Sequence, residues 1–275
     1  MLTIEPEGGI CNRLHALNCA IALSRTIGQP LRLIWVVNNN LGCNLTDFLR
    51  MPAEIDRMIS FNKLDWSWRR KLRYNLQRYA RFDYLRPDFA RDQIREMVRE
   101  DFDFESLAKR RNTHIKCGWS FYRNDQAFYP FQPIADVQKR IDRITSQFAN
   151  TIGVHIRRTD HLPATEFSPT SLFVERMETL LSEDPTTTFF VASDVPEVTA
   201  EICTLFGERI ITQSDLHRGR SSAQAIKDAT VDLFCLAATR MVLGSYLSSF
   251  SATAGRLGNI PVEYALSEPD PDVRW

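Results

Sequence analysis

Long apolar runs are missing from this 275-residue chain. None approaches the roughly 20 residues that span a bilayer, and the opening Met1-Leu2-Thr3-Ile4-Glu5 passes into a strand pattern without the basic and apolar regions of a leader, so neither a membrane span nor a secretory signal is expected. A charge of one sign is missing as well. Lys+Arg and Asp+Glu stand at 34 each, which leaves no bulk attraction to nucleic acid or to an anionic membrane and allows only a local patch to supply one. The six cysteines (Cys11, Cys19, Cys43, Cys117, Cys203 and Cys235) show neither a C-x-x-C pair nor a metal-ligand spacing. Most lie in apolar segments, which predicts reduced core thiols in a cytoplasmic protein rather than a disulfide or zinc framework. Internal repeats and low-complexity linkers are also lacking.

A hydrophobic content of 44% and a charged content of 25% are ordinary for a folded globular chain. Its length is near the upper limit for a single core, so two subdomains of roughly 100 to 150 residues are expected. Leu2 to Glu5 reads as a strand, Gly8-Gly9 as a tight turn, and Asn12 to Ile27 as a helix striped by Leu14, Leu17 and Ile21 and ended by Gly28. Leu31 to Val37 supplies the next strand and completes a βαβ unit. From Leu45 to about Gln147 the pattern is mostly helical, with a strand at Thr113 to Cys117 and a helix from Asp136 to Phe148.

Beyond that point strands and helices alternate clearly. Strands are predicted at Thr151 to Ile156, Thr187 to Ala192, Arg209 to Thr212, Met241 to Leu243 and Pro261 to Tyr264. Helices run between them from Pro169, Pro196, Ser221 and Ser249. Such spacing calls for a parallel sheet covered on both faces. The expected class is therefore α/β, with two Rossmann-like halves facing a cleft, residues 1–149 and 150–275.

Arginine stands in a telling place. His155-Ile156-Arg157-Arg158-Thr159-Asp160 follows the apolar run Thr151 to Val154, so two adjacent guanidiniums stand at the carboxyl end of a buried strand, where open α/β sheets bind ligands. The fixed fork of donors on arginine matches phosphate oxygens two at a time and suits a diphosphate. The structural alternative is an ion pair in which Asp160 or Asp194 neutralises one arginine.

Other segments make the same demand. Gly8-Gly9-Ile10-Cys11-Asn12-Arg13 is a glycine turn that opens a helix, and Gly9, Asn12 and Arg13 are candidates to meet a phosphate or sugar oxygen at its positive end. Ser193-Asp194 closes a strand, and Asp194 is either a cap for the helix near Pro196 or a cleft residue. Gly244-Ser245-Tyr246-Leu247-Ser248-Ser249-Phe250-Ser251 leads from a strand into a helix, and Ser248, Ser249 and Ser251 offer hydroxyls to an anion or to capping. Asp232 lies among Val231, Leu233 and Phe234, where an unpaired carboxylate is costly; it needs an arginine or a donor-rich base such as guanine.

Taken together, GGICNRLHAL, HIRRTD, VASD, a helix carrying VDL, and GSYLSSFS resemble the fucosyltransferase superfamily of α1,6-, Nod-factor and protein O-fucosyltransferases. The resemblance covers the first 35 residues and nearly all of the carboxyl half. It implies a GT-B-like fold, a GDP-fucose donor held mainly by the carboxyl half, inversion at the anomeric carbon, and no metal or other cofactor. It also implies that Arg157 grips the β-phosphate and Arg158 supports the site. His155 and Asp232 would address guanine, Ser248 and Ser249 would hold phosphate oxygens, and the Gly9 to Arg13 turn would close over the diphosphate. The α1,6-enzymes follow RRTD with a lysine and, a few residues later, a glutamate. This chain has His161 in the first place and, one residue further along than expected, Glu166 in the second. A histidine makes neutralisation of the leaving group pH-dependent.

The chemistry is coherent from the residues alone. Breaking a sugar-diphosphate bond leaves negative charge on the diphosphate, and the motif segments present arginines rather than a metal-binding D-x-D pattern to meet it. A carboxylate or imidazole can deprotonate the attacking acceptor hydroxyl. The partners expected are a nucleotide-sugar donor and a glycan or lipid-linked glycan acceptor, with no nucleic acid. The aromatic and basic stretch of residues 66–86 reads as an amphipathic helix with a solvated basic face, or as a contact with an anionic acceptor or the inner face of a membrane. Two alternatives stay open: the same fold using another nucleotide sugar, and a non-catalytic nucleotide-sugar or glycan-binding protein.

Overall fold

The computed structural model of the chain describes residues 1–64, 87–122, 127–159, 162–214 and 216–266. The basic stretch of residues 66–86, and the contact expected of it, lies outside the described residues, as do Asp160 and His161. No helix among the described residues is long and apolar enough to cross a membrane.

The chain forms two units. The first holds the residues up to Gln132 together with Arg220–Ile226, and the second holds Pro133–Gly219 and the residues from Lys227 onward. In the first, β1 (Leu2–Pro6), β2 (Leu31–Val37), β3 (Ile55–Asn62) and β4 (Thr113–Cys117) make a parallel sheet in the order β3-β2-β1-β4. Helix α1 (Ile10–Ile27) joins β1 to β2 and is buried well beyond the predicted stripe, with Cys11, Ala16, Cys19, Ala20 and Ala22 also inside. A helix apolar on most sides belongs to an interior. It stops at Gly28, whose φ of 63° lets Gln29 N–H reach Ser24 O at 3.1 Å.

Strand β3 corrects the helical reading of the middle region. It pairs with β2 from Leu31↔Ile55 to Val37↔Asn62, yet it lies at the sheet edge and most of its side chains are exposed or half-buried. Such a strand has no strict apolar alternation to announce it. The described helix that follows, α2 (Arg91–Arg99), buries only Ile94.

The second unit begins ahead of the boundary expected near residue 150, because helix α3 (Ala135–Thr145) packs within it. Arg140 on α3 pairs with Asp228 at 2.7 Å, and Asp136 pairs with Lys227 at 2.7 Å. The sheet contains β5 (Thr151–Ile156), β6 (Thr188–Ser193), β7 (Ile210–Thr212), β8 (Val242–Gly244) and β9 (Val262–Tyr264), all parallel, in the order β7-β6-β5-β8-β9. The chain builds outward from β5 through β6 to β7, then returns to the other side of β5 for β8. The order reverses between β5 and β8, which makes a crevice at their carboxyl ends.

The connections are α4 (Leu162–Phe167), α5 (Thr170–Glu183), α6 (Pro196–Phe206), α7 (Ala223–Ala237) and α8 (Ser249–Gly258). Phe173, Met177 and Leu180 recur at helical spacing on α5 and pack onto Ile152, Val154 and Ile156 of β5. Full burial of each such side chain contributes roughly 1.5–3 kcal/mol.

Candidate functional site

Three neighbouring strands end together at the carboxyl edge of the second sheet, and each delivers one polar group. β5 is buried throughout and bonded on both sides, with Ile156 opposite Ser193 and His155 opposite Gly244. The chain therefore leaves the sheet at Arg157, between Asp194 and Ser245. The Arg157 amide donates to Ser245 Oγ at 2.9 Å, and that hydroxyl donates to His155 O at 3.2 Å. Asp194 accepts the Arg158 amide at 2.8 Å, the Thr159 amide at 3.2 Å and the Thr159 hydroxyl at 2.6 Å, while its Oδ2 lies 3.3 Å from Arg157 Nε.

Burial would raise the Asp194 carboxyl, but the Thr159 hydroxyl, the Arg157 charge and the two amides outweigh it and hold the group below its ordinary range. Capping does not explain Asp194. The N-cap of α6 is Val195, whose amide goes to Ser193 Oγ at 3.2 Å. Arg158 turns away from its neighbour. Its Nη1 donates to Arg157 O at 2.8 Å, its Nη2 to Thr170 Oγ1 at 3.0 Å, and its guanidinium lies 5.9 Å from the Phe173 ring centre. It braces the loop against α5.

Behind this edge, His155 is buried and stacked on Phe250 with ring centres 4.7 Å apart. Its Nδ1 meets Ser251 Oγ at 2.9 Å and Ser248 Oγ at 3.4 Å. Burial, reinforced by the charge of Arg157, pushes its pKa down to about 3, so the ring is neutral at ordinary pH. Capping does not account for Ser248 either: it is the N-cap of α8 but makes no side-chain cap bond. Ser251 is fully buried and Ser249 is half-buried. Only glycine fits at Gly244, because a Cβ there would stand 2.5 Å from Ser251 Oγ.

A second polar group gathers around Asp232. The carboxyl is buried on α7, and Gln213 Nε2 donates to its Oδ1 at 2.9 Å. Desolvation pushes the pKa of Asp232 up to about 7, against the help of Gln213 and Arg218. One turn earlier Asp228 takes Arg140 on one oxygen and, on the other, the His217 amide at 2.7 Å and ring at 3.1 Å. The partner that Asp232 needs is thus an amide, and none of the motifs contained Gln213 or Arg140. The four-residue step from Asp228 to Asp232, which puts both on one helix face, was the available signal.

In the first unit, the glycine turn follows β1. Gly8 adopts φ 83° and Gly9 is the N-cap of α1. Arg13 is fully buried rather than presented to a ligand. Its Nε donates to Gly8 O at 2.9 Å, its Nη2 to Asn38 Oδ1 at 3.3 Å, and it lies 4.7 Å from the centre of the Trp35 ring. It supports the turn from beneath, and burial lowers its pKa to about 10. Asn12 is half-buried beside Gly8. Glu166 is exposed on α4.

One Asp-x-Asp triplet, Asp101-Phe102-Asp103, lies apart from the motif segments, and turn geometry accounts for it. Asp101 follows α2 with φ 53°, and Asp103 caps the turn Phe104–Lys109 by accepting the Glu105 and Ser106 amides. A second triplet, Asp270-Pro271-Asp272, lies outside the described residues.

Two Rossmann-like units, each with a parallel sheet and a polar turn at a strand end, define a two-unit α/β protein. No protein-family model matches the sequence, and no curated protein matches it. The fold is nevertheless that of solved fucosyltransferases. NodZ α1,6-fucosyltransferase co-crystallised with GDP aligns at 17% identity over 92% of this chain and 91% of its own, with a TM-score of 0.60; NodZ has been solved from Bradyrhizobium. A point mutant of Arabidopsis thaliana FUT1 in complex with GDP aligns at 12% identity over 98% of this chain and 70% of its own, with a TM-score of 0.58. POFUT1 in complex with GDP aligns at 12% identity over 97% and 98%, with a TM-score of 0.55.

Proposed function

We propose that the chain is an inverting, metal-independent glycosyltransferase of GT-B-like architecture that moves fucose from GDP-fucose to a glycan hydroxyl. The observation that carries this reading is Arg157, held through Nε by Asp194 and through its amide by Ser245 at the reversal point of the second sheet. The fold it sits in is shared with fucosyltransferases solved with GDP.

The second unit takes the donor and the first the acceptor. As the bond between the anomeric carbon and the β-phosphate oxygen breaks, negative charge grows on departing GDP. A preorganised guanidinium is worth most at that moment, and it does the work that metal-using transferases give to a cation. The acceptor oxygen bonds to the anomeric carbon from the opposite face, and its proton passes to a base, which we assign to Glu166. His161 takes the place in the sequence where the α1,6-enzymes carry a lysine and would neutralise the diphosphate, and Asp160, the residue before it in the sequence, is counted with the donor-binding residues. Ser248 and Ser249 serve phosphate oxygens, while Ser251 acts through His155. In the first unit, Gly9 and Asn12 stand at the start of α1, and Arg13 holds that glycine turn in shape. Asp232 reads guanine together with His155.

The test is a thermal-shift series with GDP, UDP and dTDP, since a ligand of the native state raises stability in proportion to its saturation. It is followed by assays of GDP-fucose with a glycan panel, with and without EDTA. GDP standing out, with EDTA-resistant transfer or slow release of fucose, is expected. UDP or dTDP standing out overturns the donor, loss restored by magnesium or manganese overturns metal independence, and GDP binding without any turnover overturns catalysis.

A further inference from the structure

Gln213, just after β7, is buried and bonded to two residues of α7, and its amide is fully committed. Arg140 of α3 reaches its oxygen. A guanidinium can only donate, so the atom facing it must be Oε1 and the amide nitrogen must point the other way. There Nε2 meets two acceptors, Asp232 Oδ1 at 2.9 Å and the main-chain oxygen of Asp228 at 3.2 Å. Both amide hydrogens are thereby used. The orientation of Gln213 is set by Arg140, which Asp228 Oδ1 in turn holds at 2.7 Å.

We propose that Gln213 is a positioning residue for base specificity: locked by Arg140, it keeps Asp232 a hydrogen-bond acceptor and so tunes the donor site to a nucleoside diphosphate whose base carries N–H donors. This rests on the reading of Asp232 as the residue that addresses the base.

The balance at Asp232 is what gives Gln213 leverage. Burial and the neighbouring carboxylate of Asp228 favour the protonated form, whereas Gln213, Arg218 and Arg140 favour the ionised one. The buried Cys235 thiol also faces the carboxylate, and its own pKa is pushed up chiefly by burial. These opposing groups leave Asp232 near neutrality, so removing one donor is enough to tip it. A protonated carboxyl presents an O–H where an ionised one accepts, which reverses the match: guanine's N–H edge loses its acceptor, while the bare ring nitrogen of adenine gains a donor. A residue that merely filled space would not change which base is preferred.

The experiment is calorimetric titration of the full chain with GDP, ADP and inorganic pyrophosphate at several values between about pH 5.5 and 8.5. It compares the native protein with Gln213→Met, Gln213→Glu and Asp232→Asn. The native protein should lose GDP affinity as pH falls through about 7, while its pyrophosphate affinity does not follow the same midpoint. Gln213→Met should weaken GDP about tenfold near neutrality, narrow the preference for GDP over ADP and move the midpoint upward. Gln213→Glu keeps the size of the side chain and a partner for Arg140 but offers Asp232 no donor, and should move the midpoint further.

Pyrophosphate reports an intact site. If Gln213→Met loses it, Gln213→Glu decides; if both lose it, Gln213 is structural and the proposal fails. Asp232→Asn binding GDP as the native protein does would remove the base reading itself. Asp232→Asn losing GDP while both Gln213 variants keep native affinity, preference and midpoint would overturn the role of Gln213 alone.

Discussion

Asp194 Oδ2 lies 3.3 Å from Arg157 Nε and also accepts the Thr159 amide and hydroxyl, so one carboxylate fixes both the arginine and the backbone that leaves β5. Replacing it with asparagine keeps the size and removes the charge. Hydrogen bonds to a charged group contribute about 1.5–3 kcal/mol, so Asp194→Asn should lower kcat roughly 10- to 100-fold. Steady-state kinetics on GDP-fucose check this, and a variant with native kcat would show that Arg157 orients itself.

Asp232 should make the protein less stable as pH rises. Its pKa is raised from 3.8 to about 7, so the stability linked to its proton is fully present below 3.8 and is lost as pH rises through about 7. Asparagine carries no such burden. The stability of Asp232→Asn relative to the native protein should therefore grow by up to about 4 kcal/mol between pH 4 and pH 8. Urea titrations at the two pH values measure the difference, and a difference independent of pH would place the Asp232 carboxyl in water.

Glu5 behaves in the opposite sense in the first unit. Burial would raise its carboxyl, but His114 and Lys116 bring it down to about 2. His114 Nε2 stands at 3.6 Å, beyond hydrogen-bonding range, so Lys116 Nζ at 2.9 Å is the firmer hold. A lowered value means stability that is present above pH 4.5 and lost as pH falls toward 2. Glu5→Gln should cost roughly 2–3 kcal/mol at pH 7 and progressively less in acid. Acid unfolding curves that coincide for the native protein and the variant would rule this out.

What the sequence made legible followed from burial on both faces of a sheet. β5 and β6 are continuous apolar runs, and the helices between them carry one apolar face each, so the second sheet and its Arg157 edge could be read directly. β3 could not, because an edge strand whose side chains are mostly exposed or half-buried resembles a polar helix or loop in composition. Asp194 and Ser248 both stood at helix starts, where capping is the usual role of such residues, and local spacing could not reveal that they bond to β5 and its exit loop instead. Gln213 and Arg140 were silent for a simpler reason: their roles depend on contacts across 73 residues of chain, and neither belongs to a recurring motif.

Arg157 is the strongest test of the proposed chemistry. Its guanidinium is oriented before any ligand arrives, and a preorganised donor of this kind typically supplies about 100- to 1000-fold in rate. Arg157→Ala should lose that much kcat. Arg157→Lys should recover little of it, because a point charge lacks the fork that meets two phosphate oxygens and cannot reproduce the Nε contact with Asp194. Removing Arg157 also leaves Asp194 without its cation, but the Thr159 hydroxyl and the amides of Arg158 and Thr159 still satisfy that carboxylate, so the loss of stability should be modest. A structural arginine would give the reverse pattern, a large drop in melting temperature with near-normal turnover by the folded fraction. Measuring kcat and thermal unfolding on both variants separates the two, and a folded Arg157→Ala enzyme with native turnover would remove the diphosphate grip from the mechanism.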